Sequence, residues 1–590
     1  GREPETYQAL IDLCEMLALP VIEPRGAIFA NFPQDHALHQ GQEIEPFDEA
    51  DFKNIMAGLI GAEGEAVESL AICFLHAYAN PSLEIEAERL AAGIAPDLPC
   101  SRSSALWPEI REYERAMIAV LNAYVTPIMG RYLGALSAEA SDLGLGEDLF
   151  VTISNGGVMS AEAARKAPVK TLLSGPAAGV VGAAYVARQA GLPDAITLDM
   201  GGTSADVSII RGGEPVHSSE ARIGDFPLIM PAVDVFSVGA GGGSIAWFDE
   251  FGLLKIGPKS AGADPGPACY GLGGTEPAVT DAYLTCGYLN PDNFLGGAMK
   301  LDKGCAQTAI DPIAQRLGST AEGAAESMLK IATSNMSTAL LPLMAKRGIE
   351  PRDYSLIAFG GAGTTHACFL AEDLRIPRII VPPTPGTLCA LGAAIADLKF
   401  DHIETVRRPL AQMNDGEIED IYSRLEEEGC AWLAQQGTEV TRTDMERAAD
   451  IRYVGQAFDV ETPISENEPA STSLLAQSFH EIYENLYRNS DANAPVELIN
   501  LRVRVIGRLP EPAPGKIETK DGPEAAEVTR QIYLDGAWCQ ARVLARDALR
   551  PGQTINGPAV IEQFDTTTLI TGAFTCRVHE TGYLMLEGDV

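Results

Sequence analysis

The sequence predicts a layered α/β protein with a mixed sheet at its centre and a mostly β segment following it. Three observations lead there. Short apolar runs alternate with helical stretches between about Leu149 and Leu398, glycine-dense loops punctuate that alternation, and after about Phe400 the composition shifts to alternating strand patterns. With 590 residues the chain is too long for one core, because domains run to roughly 100–200 residues. Three segments are expected: 1–137, 138–400 and 401–590.

Taken in chain order, "AVESLAICFLHAYANPSLE" reads as a helix end, a buried strand "LAICFL" and a loop opening another helix. The run "EIREYERAMIAVLNAYVTPIMGRYLGAL" keeps apolar spacings of three and four throughout. It should form one long helix linking two domains, with Pro127 as its point of kinking. In the central segment "LFVTIS", "AITLDM", "DVSII", "SLIAFGG" and "RIIVPP" read as strands. The stretches "SGPAAGVVGAAYVARQAG" and "AEGAAESMLKIATSNMSTALLPLMAKRG" read as helices between them. Beyond Phe400 a helix around "EIEDIYSRLEEEGCAWLAQQG" leads into strands in "DIRYVGQAFDVETPI", "VELINLRVRVIGRLP", "RQIYLDG" and "AVIEQFDTTTLI". The proline- and charge-rich "LPEPAPGKIETKDGPEAAE" is expected to be an exposed connector.

Composition excludes several function classes. Against 43 basic residues stand 81 acidic ones, a formal net charge of −38 that repels a polyphosphate backbone, so nucleic acid is not expected as a partner. No stretch approaches the ~18 uninterrupted apolar residues of a membrane span, and the first residues lack the pattern of a signal peptide. Eleven cysteines, scattered singly with no CxxC pair, suit a reducing cytosol, so a cytoplasmic protein is expected. Cys269 and Cys368, flanked by small or apolar residues, read as packing residues. Eight histidines without HxH or HExxH spacing speak against a self-contained transition-metal site.

The glycine loops carry the chemistry. In "AITLDMGGTSADVSII" a strand runs into the turn "GGTS" and a second strand returns beside it. At the tip Gly201 and Gly202 would let backbone N–H groups approach phosphate oxygens, while Thr203 and Ser204 add hydroxyl donors. Asp199 and Asp206 would repel a bare phosphate but become useful with a Mg²⁺ ion or its waters between them and a triphosphate. A plain tight turn is the competing reading. Three further loops weigh against it: "SGPAAGVVGAA" opens a helix, whose N-terminal amides favour anions. "VGAGGGSIAW" is denser in glycine than ordinary packing needs, and "FGGAGTTHA" follows a strand and opens another helix. A dinucleotide fingerprint explains "GAGGGS" less well, because the preceding strand, the spacing and the downstream acidic residue are missing.

The strand, the DxGGTxxD hairpin, the glycine-rich helix start and the GGAG loop together resemble the nucleotide-binding fold of actin, the Hsp70 chaperones and the sugar kinases. "LLSGPAAGVVGAAYVA", "DMGGTSADVSIIRGGEP", "SVGAGGGSIAW", "KSAGADPGPACYG", "TEPAVTDAYL" and "FGGAGTTHAC" are similar to the A subunit of the hydantoinase/oxoprolinase family. The resemblance extends through "LHAYANPSLE", "WPEIREYERA", "SNGGVMSAEAARKAPVKTLLSGP", "VELINLRVRVIGR" and "GPAVIEQFDTTT", from about Leu70 to the end.

That resemblance implies ATP-dependent activation of a stable carbonyl compound, with ATP and Mg²⁺ as cofactors and a cyclic amide or ketone as substrate. It also implies a B-type partner subunit in a hetero-oligomer. Family members open lactam or imide rings such as 5-oxoproline, hydantoins and caprolactam, and related enzymes carboxylate acetone or acetophenone. Carried onto this sequence, Asp199 would organise Mg²⁺ or its waters and is the expected catalytic residue, while Gly201, Gly202 and Thr203 would hold phosphate oxygens. Ser204 and Asp206 complete the hairpin, Gly239, Gly241, Gly242 and Gly243 would wall the nucleotide, and Gly360, Gly361 and Gly363 match the adenosine-side loop. His366 reads first as a packing residue; Asp264, Asp281, Asn155 and Gly156 read first as turn or cap residues.

Family members begin with an additional DxGGTxTD loop that this sequence does not contain, and residues 1 to about 50 also match the family pattern poorly, so the expectation is that the loop was lost by truncation or is supplied by another polypeptide. Two alternatives accompany the ring-opening reading: an ATP-dependent ketone carboxylase subunit, and a non-catalytic actin-like binding module.

Overall fold

The computed structural model describes residues 47–61, 67–145, 149–218, 221–224, 226–465, 469–513, 515 and 528–590. The expectations for the first 46 residues, and for most of the connector following Leu509, lie outside them. The chain forms two compact units, each assembled from non-contiguous segments.

One unit contains the described residues up to Ser174 together with 218–232 and 396–510. Its six-stranded sheet runs in the order Val460–Ile464, Arg442–Tyr453, Val496–Arg508, Leu398–Pro409, Val158–Ser160 and Phe150–Thr152. Helix Asp415–Ala434 lies on that sheet, and it can approach closely because Gly429 has no side chain: a Cβ there would sit 2.3 Å from Val505 Cγ2. The expected long helix is Glu112–Asp142 with Pro127 inside it. Its buried residues, including Met117, Ile118 and Leu121, pack with Trp107, Val169 and Leu228. The strand foreseen in "LAICFL" is Leu70–Ile72, paired in parallel with Cys100–Arg102.

The other unit contains 175–217, 233–395 and 511–590. Its nine-stranded sheet follows the order Val235–Val238, Ala205–Arg211, Ala195–Met200, Ser355–Phe359, Arg378–Val381, Leu584–Gly588, Phe574–Val578 and Thr554–Asn556, with Glu214–Pro215 paired beside Ala205–Arg211. Ser355–Phe359 is parallel to both of its neighbours, whereas the remaining pairs are antiparallel, so the sheet is mixed as the sequence predicts.

Alternation along the strands sends side chains to two separate cores. Leu356, Ala358, Ile196 and Leu198 join the core that contains Met328 and Met336 of helix Ala321–Lys346. Ile357, Phe359 and Ala195 join Ala177, Val180 and Ala184 of helix Ser174–Gln189 on the other face. The layered α/β arrangement is therefore present, with helices on both sides of one sheet. The small residues of "SGPAAGVVGAA" have a packing cause: a Cβ on Gly182 would meet Leu388 O at 2.7 Å, and one on Gly392 would meet Ala178 O at 1.8 Å. Helices Ser174–Gln189 and Leu388–Ile395 thus touch backbone to backbone. Among the described residues, no helix is long and apolar enough to cross a membrane.

Candidate functional site

The expected hairpin is present, formed by Ala195–Met200 and Ala205–Arg211, with Asp199 directly opposite Asp206 and Met200 opposite Ala205. Gly201 N–H donates to Ser204 O at 3.1 Å and closes the turn. Asp199 stands at the carboxyl end of its strand, level with Phe359 on the parallel neighbour, and Gly360 and Gly361 follow directly from that neighbour. Carboxyl ends of adjacent parallel strands are where open α/β sheets form their ligand crevices.

Burial pushes the Asp199 carboxyl up to about 6; the Cys389 thiol, which donates to Oδ2 at 3.5 Å, works against that rise, and the neighbouring Asp206 charge adds to it. Burial also raises Asp206, opposed by the Ser237 hydroxyl that donates to Oδ1 at 2.5 Å. Among the described residues neither carboxylate pairs with a lysine or arginine. Two half-buried, facing carboxylates without a basic partner form an environment suited to a cation from solution.

The glycines divide into two kinds. Gly241, Gly242 and Gly243 are buried beneath the tip, with Gly242 N–H on Gly201 O at 2.9 Å and Gly243 N–H on Gly202 O at 2.6 Å. A Cβ on Gly241 would lie 2.6 Å from Ser204 N, and one on Gly243 would lie 2.7 Å from Gly202 O. Gly360, at φ +79°, would place a Cβ 2.5 Å from Asp199 Oδ1, and Gly363 would place one 3.1 Å from Leu198 O. Gly241, Gly243, Gly360 and Gly363 leave room for neighbouring backbone, and Gly242 leaves room for Thr280 Oγ1, 2.9 Å from a built Cβ. Gly201, Gly202 and Gly361 have nothing within 4 Å of a built Cβ, so their backbone borders open space. Thr203 is exposed and Ser204 half-buried. Gly239 is exposed and follows Val238, the partner of Ala205 at the base of the tip; a Cβ there would meet Pro258 at 3.4 Å.

The sequence matches the hydantoinase/oxoprolinase model over residues 115–402, its C-terminal domain over 408–587 and its N-terminal region over 2–94. The chain belongs to the hydantoinase/oxoprolinase family. The match reaches back to residue 2, which corrects the expectation that the first 50 or so residues fit the family poorly. Caprolactamase subunit alpha of Pseudomonas jessenii is 35% identical over 547 residues, covering 90% of this chain and 78% of that protein. Acetophenone carboxylase gamma subunit of Aromatoleum aromaticum is 31% identical, with 93% and 77% covered. The crystal structure of the ATP-dependent caprolactamase from Pseudomonas jessenii superposes with a TM-score of 0.85 at 31% identity, covering all of this chain and 87% of that one.

In this family member the remaining candidates fall into place around the tip or away from it. His366 is fully buried, with Nδ1 2.8 Å from Tyr283 Oη and Nε2 3.0 Å from Thr333 Oγ1, and burial lowers it to about 4. Asp281 is fully buried and accepts N–H bonds from Cys269 at 2.7 Å, Ala278 at 2.8 Å and Ala268 at 3.2 Å, so it ties the "GPACYG" loop to helix Val279–Thr285. Asp264 is exposed. Cys269 and Cys368 are buried. Asn155 and Gly156 belong to the other unit, where Asn155 Nδ2 donates to Asp401 Oδ2 at 2.7 Å and Gly156 takes φ +77°.

Sequence reasoning missed four residues around the tip. Thr280 Oγ1 donates to Gly242 O at 2.8 Å. Asp565 accepts from Gly386 N–H at 2.8 Å, and Thr566 Oγ1 donates to Gly361 O at 2.9 Å. Cys389 reaches Asp199 from "PTPGTLCALGAA", a segment whose proline and glycine density was the one available signal.

Proposed function

We propose that this chain binds Mg²⁺ and ATP at the Asp199 hairpin. In this reading it is the ATP-binding A subunit of an enzyme that opens a lactam, hydantoin or oxoproline-type ring. The observation that carries the reading is the meeting of a half-buried carboxylate with exposed glycine backbone. Asp199 stands at the end of one strand, Gly201 and Gly202 follow it, and Gly361 comes from the parallel neighbour. The Gly201 N–H is committed to Ser204 O, so the exposed backbone of Gly202 and Gly361 is what suits phosphate oxygens, and the facing Asp199 and Asp206 oxygens suit a hard cation. Among the described residues no three His, Cys, Asp or Glu groups stand together as a metal site, so the protein would supply one or two carboxylates, as is usual for Mg²⁺ bound with phosphates.

Asp199 would hold the ion or its waters; Gly202 and Thr203 would hold phosphate oxygens. Bound ATP supplies a phosphoryl group that makes a resonance-stabilised carbonyl oxygen a good leaving group. This chain's part in such chemistry is positioning and charge neutralisation. The fold is read as the actin, Hsp70 and sugar-kinase type of nucleotide-binding fold. The named relatives include an alpha and a gamma subunit, which supports a hetero-oligomer with a B-type partner.

The second reading is ATP-dependent carboxylation of a ketone, supported by 31% identity to the acetophenone carboxylase subunit against 35% to the caprolactamase subunit. ADP release from the complex with its partner separates them. Stimulation by caprolactam, hydantoin or 5-oxoproline without bicarbonate supports ring opening. Stimulation only by acetone or acetophenone with bicarbonate overturns it.

A further inference from the structure

Asp199 has no other side-chain donor among the described residues than the Cys389 thiol, at 3.5 Å from Oδ2. Three elements are arranged around that pair. Cys389 lies in the first turn of helix Leu388–Ile395, which follows the short turn Pro385–Thr387, and Gly360 N–H anchors that turn through Pro385 O at 3.0 Å. On the far side of the thiol, helix Ser174–Gln189 presents Gly179, where a Cβ would stand 3.0 Å from Cys389 Sγ and 3.1 Å from the Phe359 ring. On the far side of the carboxylate, a Cβ on Gly360 would stand 2.5 Å from Asp199 Oδ1. Each glycine thus leaves room for one member of the pair. The strand opposite repeats the pattern, with Ser237 as the neutral donor to Asp206.

A neutral donor restrains a carboxylate without cancelling its charge, whereas a lysine or arginine would compete with an incoming cation. We propose that Cys389 is a positioning residue for Asp199, holding Oδ2 so that the carboxylate meets a hydrated divalent cation in one orientation. The proposal rests on the reading of Asp199 as the metal-facing carboxylate. Cys389 acts through Asp199 and touches neither nucleotide nor substrate in this account.

The test is calorimetric binding of ADP to the purified full chain, with Mg²⁺ and with EDTA, for wild type, Cys389→Ser, Cys389→Val and Cys389→Ala. Valine fills the thiol's space without donating and guards against a cavity artefact at alanine, and melting midpoints verify the fold. Loss of the donor should raise the Kd for ADP with Mg²⁺ by about three- to tenfold in the valine and alanine variants, and leave metal-free binding within about twofold. Serine, which still donates, should stay within about twofold of wild type in both conditions. Wild-type affinity in the valine variant, or equal weakening with and without Mg²⁺, overturns the positioning role. Wild-type protein that binds no ADP even with Mg²⁺ overturns the functional reading and this proposal together.

Discussion

Asp199 and Asp206 face each other directly across the hairpin, two carboxylates on neighbouring strands with no basic partner among the described residues. Like charges directly opposite in a sheet oppose folding, so this placement sets function against stability. Asp199→Asn keeps the volume and removes one charge. It should nearly abolish ATP-dependent turnover while raising stability by roughly 0.5–1 kcal/mol. Turnover assays beside denaturant melts check both halves, and near-normal turnover would sink the metal role.

The two kinds of glycine should separate under substitution. Gly360→Ala strains a φ of +79° and drives a methyl to 2.5 Å from Asp199 Oδ1. A loss of more than about 1 kcal/mol in stability is expected, with nucleotide binding lost alongside. Gly361→Ala meets nothing within 4 Å. It should melt like wild type, so that any effect appears in ADP affinity alone.

His366 makes stability pH-dependent. Burial depresses it from 6.5 to about 4, so between those values the unfolded chain takes up a proton that the folded one does not. Its contribution is complete above pH 6.5 and is lost as pH falls toward 4, on the order of 3 kcal/mol in all. Asp199, raised from 3.8 to about 6, acts in the opposite sense over an overlapping window. Comparing wild type with His366→Gln therefore isolates the histidine: the variant should be less stable at pH 7.5, and the gap should narrow on acidification. A constant gap from pH 7.5 to pH 4 would falsify the assignment.

Asp281 and Asp264 look alike in the sequence and should behave differently. Asp281→Asn replaces an acceptor of three backbone N–H bonds with a group carrying its own donors. A cost of roughly 1–3 kcal/mol is expected, seen as earlier unfolding. Asp264 is exposed, and Asp264→Ala should leave the melt within about 0.5 kcal/mol of wild type. Equal melts for the two variants would remove the anchoring role of Asp281.

Much of the fold was legible because it is written in local periods. Strand Ala195–Met200, strand Ser355–Phe359 and helix Ala321–Lys346 all stand where their apolar spacing placed them, and the hairpin turn falls at "GGTS". The family motifs were equally readable, and the match over 2–94, 115–402 and 408–587 agrees with them. Less of the candidate site could be read. "GAGGGS" and "FGGAG" looked like uniform ligand loops, yet Gly241, Gly243, Gly360 and Gly363 admit other backbone, whereas Gly361 borders open space.

The sequence by itself determined the element types, the paired carboxylates and the family. Each depends on residues close together in the chain, where side-chain period and turn chemistry act. Only the tertiary structure decided which glycines support the tip and which are open, that Cys389 reaches Asp199 across 190 positions, and that His366 and Asp281 are buried and saturated with hydrogen bonds. The reason is physical: close approach between distant backbones, and burial of a charge among them, depend on how the layers pack, and no period along the chain records that.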